Sequence, residues 1–257
     1  MPLLGLSHDL LNKSLKNIGV SAGDGLLVHS AIQFLGQPRG GLEMIFNTIR
    51  EILTPKGTII VPTFNFDFAK GIDFNTQTTP SKGMGVFSEF VRKEASSVRT
   101  SHPLQSIGIN GFYASELSSR NTAGAFDPGS AFERMLELNF KLLLLGATIN
   151  ACSMIHYSEQ KAAVPYRFWK SFTGLADGKT VTSRMFVRNL DIDPKLSLIP
   201  IQKELQDRGL WQEEKVNYGS VISFRLKDFV RIANEMLTDD PFCLLSNRDE
   251  IIQLLKK

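Results

Sequence analysis

The sequence predicts an α/β protein: a three-layer α/β/α sandwich around a mixed, largely parallel sheet, with a small β-hairpin insertion. Three observations carry that expectation. Short apolar runs of strand length alternate with segments whose apolar residues recur at helical spacing. Within KSFTGLADGKTVTSRMFV, the pair Asp177-Gly178 supplies the turn of a hairpin. The 257 residues are 42% hydrophobic and 21% charged, show no internal repeat and no low-complexity linker, and so read as one domain over 1–257.

The elements follow in order. Leu10, Leu11, Leu15 and Ile18 share one face of an opening helix over 9–18, which Gly19 caps. Residues 26–29 form a short buried strand that leaves Ser30 at its carboxyl end. The turn-rich QFLGQPRGG leads into a helix over 42–53, ended by Thr54, Pro55 and Gly57. TIIVPTF is a second buried strand, and residues 64–82 form a long loop of the kind that carries function. A helix over 85–93, the loop and strand of VRTSHPLQSIGING, a helix over 132–138 and the apolar strand KLLLLGA come next. A helix over 150–163 precedes the hairpin. A helix over 201–208, a strand over 216–224 and a helix over 226–236 complete the chain.

Composition excludes several classes. A formal charge of +3 without a basic, aromatic-interleaved run argues against nucleic acid. No run of 18 apolar residues exists to span a membrane, and the N-terminus lacks signal-peptide order, so a cytoplasmic protein is expected. Two cysteines, Cys152 and Cys243, fit reduced core thiols rather than a disulfide framework. No HExxH is present and no metal is expected. The glycine fingerprints of dinucleotide-binding proteins, NTPases and α/β-hydrolases are also absent.

Four histidines are the first candidates for chemistry. His8 reads as a solvated helix residue and His29 as a strand-end residue that supports the neighbouring loop. His102, in RTSHPLQS, sits in a loop stiffened by Pro103. His156 stands three residues before Glu159 in MIHYSEQ, which puts both on one helix face. A carboxylate against one ring nitrogen fixes the tautomer and leaves the other nitrogen to accept a proton. The spacing alone also suits an exposed helix pair. Gly40 and Gly41, before the helix at 42, are either a phosphate-binding helix start or a simple turn.

Taken in register, VHSAIQFLG followed by RGG, GTIIVPTF, VRTSHPLQSIGING, LLLLGATINACSMIHYSE and VPYR resemble the aminoglycoside 3-N-acetyltransferase family over roughly residues 21–167. The resemblance implies an acetyl-CoA-dependent N-acetyltransferase with His156 as general base and Glu159 as its partner acid. It places acetyl-CoA against Ser30, Ala31, Ile32, Leu35, Gly36, Gly40 and Gly41. Thr100, Ser101, His102, Pro103 and Ser106 line the thioester end, with His102 a further catalytic candidate. Cys152, one helical turn before His156, leaves open a ping-pong route. The family's G-S-P turn is Gly129-Ser130-Ala131 here, and FNFDFAKGIDFNTQTTPSKGMGVFSEF, with VPYRFWKSFTG later, resembles the branch associated with surface-polysaccharide sugars.

Phe64, Asn65, Lys70, Tyr166, Arg167 and Lys170 are the expected acceptor-binding residues, with 164–198 as an acceptor-side hairpin or lid. Lysines and arginines outnumber acids in these segments, which favours an anionic amino sugar, such as a nucleotide-linked one, over a cationic antibiotic. The alternatives are an aminoglycoside N3-acetyltransferase and a non-catalytic CoA-binding protein. A homodimer is allowed by the C-terminal third.

Overall fold

The computed structural model describes residues 4–256. The chain opens with β1 (Gly5–Leu6), α1 (His8–Asn17), β2 (Gly25–Ser30), β3 (Gln37–Pro38), α2 (Gly41–Leu53) and β4 (Thr58–Pro62). It continues with α3 (Val86–Lys93), β5 (Val98–Arg99), β6 (Ile107–Gly111), α4 (Ala114–Ser118), α5 (Ala131–Glu137) and β7 (Lys141–Leu145). After α6 (Ile155–Lys161) come the long strands β8 (Arg167–Ala176) and β9 (Lys179–Arg188). Then follow α7 (Ile199–Asp207), β10 (Gln212–Val216), β11 (Gly219–Arg225), α8 (Leu226–Asp239) and α9 (Arg248–Leu255).

Seven strands form the central sheet in the order β10-β11-β7-β2-β4-β6-β5. Alternation along the strands divides the core in two. Leu26, Val28, Ile59, Val61, Leu143 and Leu145 pack under α1, α2 and α3. Leu27, Ile60, Leu142, Leu144 and Ile222 point the other way, toward α5, α6, α7 and α8. The three-layer α/β arrangement and the mixed sheet are therefore as expected.

The expectation of a largely parallel sheet needs correcting. Only β2–β4 and β2–β7 run parallel; the flanking pairs are antiparallel. An apolar run buried on both faces carries no record of its direction. The strand expected over 216–224 is likewise two strands, because Asn217, at φ 53°, turns the chain between β10 and β11. The helix expected over 150–163 shortens to α6, preceded by a 3-10 turn at Ile149–Ala151.

The hairpin is where it was expected. β8 and β9 pair antiparallel over ten residues each, outside the main sheet, and Asp177 and Gly178 take φ 48° and 75° at the turn. No helix among the described residues is long and apolar enough to cross a membrane.

Arg99, on the edge strand β5, ties the long loop to the sheet. Its guanidinium donates to Thr63 Oγ1 at 3.0 Å, Ser106 Oγ at 2.9 Å, and the carbonyls of Thr63 and Thr79 at 2.6 Å each. It also lies 4.8 Å from the centre of the Phe74 ring. Burial, helped by the charge of Arg92 and only partly opposed by Glu89 and Asp177, pushes its pKa down to about 10. Arg99→Ala is expected to destabilise the fold by about 2–4 kcal/mol, since several charged hydrogen bonds leave acceptors unpaired. Denaturant melts measure the loss, and limited proteolysis should show cutting within 64–82. An unchanged melt and cleavage pattern would reject the assignment.

Candidate active site

The sheet positions the site from below. His29, near the end of β2, is buried, and its Nε2 faces the Ser153 backbone N–H at 3.4 Å and Ser153 Oγ at 3.3 Å. Burial lowers the His29 pKa to about 4, so the ring is neutral. It braces the turn that launches α6, and His156 lies in the first turn of that helix.

His156 Nδ1 meets Glu159 Oε2 at 2.7 Å. The other carboxylate oxygen, Oε1, forms an ion pair with Arg167 Nε at 2.9 Å. Glu159 is completely buried, whereas the His156 side chain keeps 31% of its surface exposed. Burial alone would push the Glu159 carboxyl upward. The hydrogen bond and charge of His156, then Arg167, outweigh that and hold it below the ordinary glutamate value. An ionised Glu159 requires the proton of a neutral His156 to sit on Nδ1, which leaves Nε2 as the nitrogen free to accept another. The Phe126 ring stands edge-on to the imidazole, with centroids 5.8 Å apart.

The imidazole opens onto a cleft of about 780 Å³ between α6, the 64–82 loop and the β8–β9 ribbon. Its walls include Phe66, Gln105, Phe126, Phe168, Phe172 and Phe186, and its charged lining is Arg167, Lys170, Arg184, Arg188 and Asp191. Arg184 is held by Asp127 Oδ2, at 3.2 Å from Nε and 3.1 Å from Nη2, and lies 4.5 Å from the Trp169 ring. Asp127 Oδ1 accepts from Gln160 at 3.0 Å. Among the described residues, no group of three or more His, Cys, Asp or Glu side chains is arranged to hold a metal.

A mixed sheet, a carboxylate-locked histidine at one end of a cleft and a ribbon walling its other side are the frame against which known proteins compare. The sequence model of the aminoglycoside 3-N-acetyltransferases matches residues 27–238. The chain belongs to that family. Aminoglycoside N(3)-acetyltransferase III from Salmonella sp. is 28% identical over 183 residues, an alignment covering 63% of each chain. The match thus spans less than two thirds of that relative's length. The solved structure of AAC-IIIb with CoASH superposes with a TM-score of 0.81 at 18% identity, covering 92% of this chain and 97% of that one. A histidine-to-alanine mutant of AAC(3)-IVa in complex with a gentamicin reaches 0.80 at 25% identity, covering 98% and 99%.

Within this family member, the residues expected from the sequence separate into groups. His156 and Glu159 are joined as expected, and His156, Arg167 and Lys170 line the cleft. Arg167 is better described as the residue that anchors Glu159 than as an acceptor contact. His102 does not line the cleft. It is buried, and its Nδ1 accepts from the backbone N–H groups of Leu104 (3.3 Å) and Gln105 (3.0 Å). Burial lowers its pKa to about 4. It shapes the loop that presents Gln105, and its Nε2 is buried without a hydrogen-bond partner.

Phe64 and Tyr166 are core side chains, and Asn65 spends its amide on Pro80 O and the Asp67 backbone N–H. Lys70 is exposed near Asp67, away from the cleft lining. Their neighbours Phe66, Ala69 and Phe168 line it instead. In the 64–82 loop adjacent residues alternate between core and cavity without a fixed period, so patterning does not separate Phe66 and Ala69 from Phe64 and Asn65.

The expected cofactor residues also lie outside this cleft. Ile32 and Leu35 pack in the core under α2, and Pro103 is buried. Thr100 Oγ1 accepts the Ile107 N–H at 3.0 Å, Ser106 Oγ bonds Thr63 O at 3.1 Å and Ser101 Oγ donates to Asn121 at 2.6 Å. Gly36 is required sterically, since a Cβ there would lie 2.4 Å from Leu4 O. Gly40 and Gly41 adopt φ 100° and 68° where α2 begins. Beside Ala31, Ser30 differs from these. Its Oγ is buried without a hydrogen-bond partner, 3.2 Å from where a Cβ on Gly85 would stand.

Arg184 counts in the sequence among the basic residues of the acceptor segments, but its pairing with Asp127 is not legible there. Their spacing of 57 positions carries no local signal, and only the fold brings them together.

Arg167→Ala is expected to cost about 3–5 kcal/mol, because it leaves a buried Glu159 charge half-compensated. It should also lower kcat, since Glu159 can then swing away from Nδ1. Arg167→Lys should recover part of both. Full stability and turnover in the alanine variant would show that Glu159 needs no anchor.

Proposed function

We propose that the protein transfers an acetyl group from acetyl-CoA to an amino group of an amino-sugar acceptor, with His156 as general base. The observation that carries this reading is the lock of His156 Nδ1 on buried Glu159, which leaves Nε2 uncommitted on an imidazole that lines the cleft. Acetyl-CoA supplies the acyl group as a thioester. The acceptor nitrogen attacks the thioester carbonyl, His156 Nε2 takes the proton released by the amine, and the C–S bond breaks as the amide forms. The imidazolium, stabilised by Glu159, then returns that proton to the departing thiolate.

A covalent acetyl-cysteine has no support. Cys152 is buried, and burial raises its thiol pKa to about 12, which keeps it protonated at neutral pH.

For the acceptor, the named relatives favour the aminoglycoside alternative. The Salmonella relative is named for that activity, and a structural relative holds a gentamicin. A nucleotide-linked sugar of a polysaccharide pathway finds no such support. The test is thiol release from acetyl-CoA with gentamicin-type compounds and simple amino sugars. Release with at least one of them is expected. Tight CoA binding with no release from any amine would replace the enzyme with a CoA-binding protein.

A further inference from the structure

Asp127 is buried, does not itself line the cleft, and takes no part in the chemistry proposed above. Its two carboxylate oxygens face different elements. Oδ1 accepts from Gln160 Nε2 at 3.0 Å, on α6 one turn beyond His156. Oδ2 accepts from the Arg184 guanidinium on β9 at 3.2 and 3.1 Å, and from the Gly124 backbone N–H at 2.8 Å. Gln160 and Arg184 both line the cleft. A single carboxylate therefore joins the helix that carries the base to the ribbon that forms another wall. The ties continue on each side. Gln160 Nε2 also donates to Phe126 O at 3.3 Å, and the Phe126 ring abuts the His156 imidazole. The Arg184 backbone N–H donates to Ala123 O at 2.8 Å, while its guanidinium lies over the Trp169 ring. The turn between is tight: a Cβ on Gly124 would stand 2.8 Å from Asp127 Oδ1.

We infer that Asp127 is a positioning residue for acetyl transfer: it sets the separation of the α6 and ribbon walls, so that an acceptor bridging them is held with its amine at His156. The inference rests on the N-acetyltransferase reading and deepens it. A carboxylate holds several donors at once, and more strongly than a neutral acceptor does. Groups that line a site keep their places only when the residues behind them are themselves fixed. Asp127→Asn keeps the volume of the side chain, removes the charge and turns an N–H₂ group toward one of the donors.

Thiol release is measured with acetyl-CoA saturating and a reactive amine varied, and then the reverse. In Asp127→Asn the KM for the amine is expected to rise about tenfold or more, as for a lost charged hydrogen bond, while the KM for acetyl-CoA stays within about twofold. A second readout needs no acceptor. Trp169 is one of two tryptophans. In a Trp211→Phe background, acrylamide quenching of its emission should rise when Asp127→Asn releases Arg184. If Asp127→Asn does not fold, Arg184→Lys at an exposed ribbon position tests the same tie, since it keeps the cation and drops the two-point contact; both readouts should move the same way. An unchanged amine KM or unchanged quenching would overturn the inference. So would a fall in kcat and melting temperature with both KM values unchanged, the mark of a carboxylate that only supports the fold. Absence of thiol release from every amine ends the transferase reading, and the quenching alone then decides whether Asp127 holds the walls.

Discussion

His156→Ala should lower the rate of acetyl transfer by about 10²–10⁴-fold, the usual contribution of a positioned general base. The fold should survive, because the imidazole is partly exposed and its one hydrogen bond is to Glu159. Glu159→Gln tests the other half of the pair. It keeps the volume of the side chain and removes the charge that holds the imidazolium, so kcat should fall while KM for the amine changes little. Thiol release under saturating acetyl-CoA gives both numbers. A His156→Ala enzyme with near-native kcat would move the base elsewhere and remove the basis for the proposed mechanism.

A second large effect concerns acid. His29 and His102 are both buried and both held at a pKa of about 4, well below the ordinary value of 6.5. In the unfolded chain they take up protons as pH falls through 6.5; in the folded protein they do so only near 4. The stability they contribute is therefore complete above pH 6.5 and is lost progressively between 6.5 and about 4. Each shift corresponds to about 3 kcal/mol. Their joint loss should lower the melting temperature between pH 7.5 and 4.5 by on the order of 10–20 °C. Glu89 acts further down. Burial pushes it up, but Arg92 and Ser81 outweigh this and hold it at about 2, so its contribution is lost only below the ordinary glutamate range. A melting temperature that stays constant from pH 7.5 to 4.5 would contradict the buried, neutral state of the two histidines.

Much of this arrangement is legible in the sequence. Strand and helix periods mark the layers, since Leu26, Leu27 and Val28 belong to a strand buried on both faces and α2 carries its apolar residues at helical spacing. Asp177-Gly178 marks the ribbon because only a few residue pairs tolerate positive φ in succession. The His156–Glu159 contact is legible because it is local, one helical turn apart. What sequence hides is direction and distance. The antiparallel flanks of the sheet depend on how loops return, and His29, His102 and Arg99 act through partners fixed by the whole fold. A histidine in a Ser-His-Pro loop reads the same whether it faces a substrate or its own backbone.

The β8–β9 ribbon stands apart from the central sheet, yet its first residue, Arg167, is the anchor of Glu159. The same hairpin thus carries one fixed duty at its base and adjustable contacts along its length. Substitutions at cleft-lining positions such as Phe168, Lys170 or Phe172 would, on the proposed function, redraw which amine enters without disturbing the His156–Glu159 pair or the main core. Acceptor range in this architecture can therefore drift quickly while the chemistry stays constant, and a chain with an intact histidine–glutamate–arginine base need not share the substrate of its relatives.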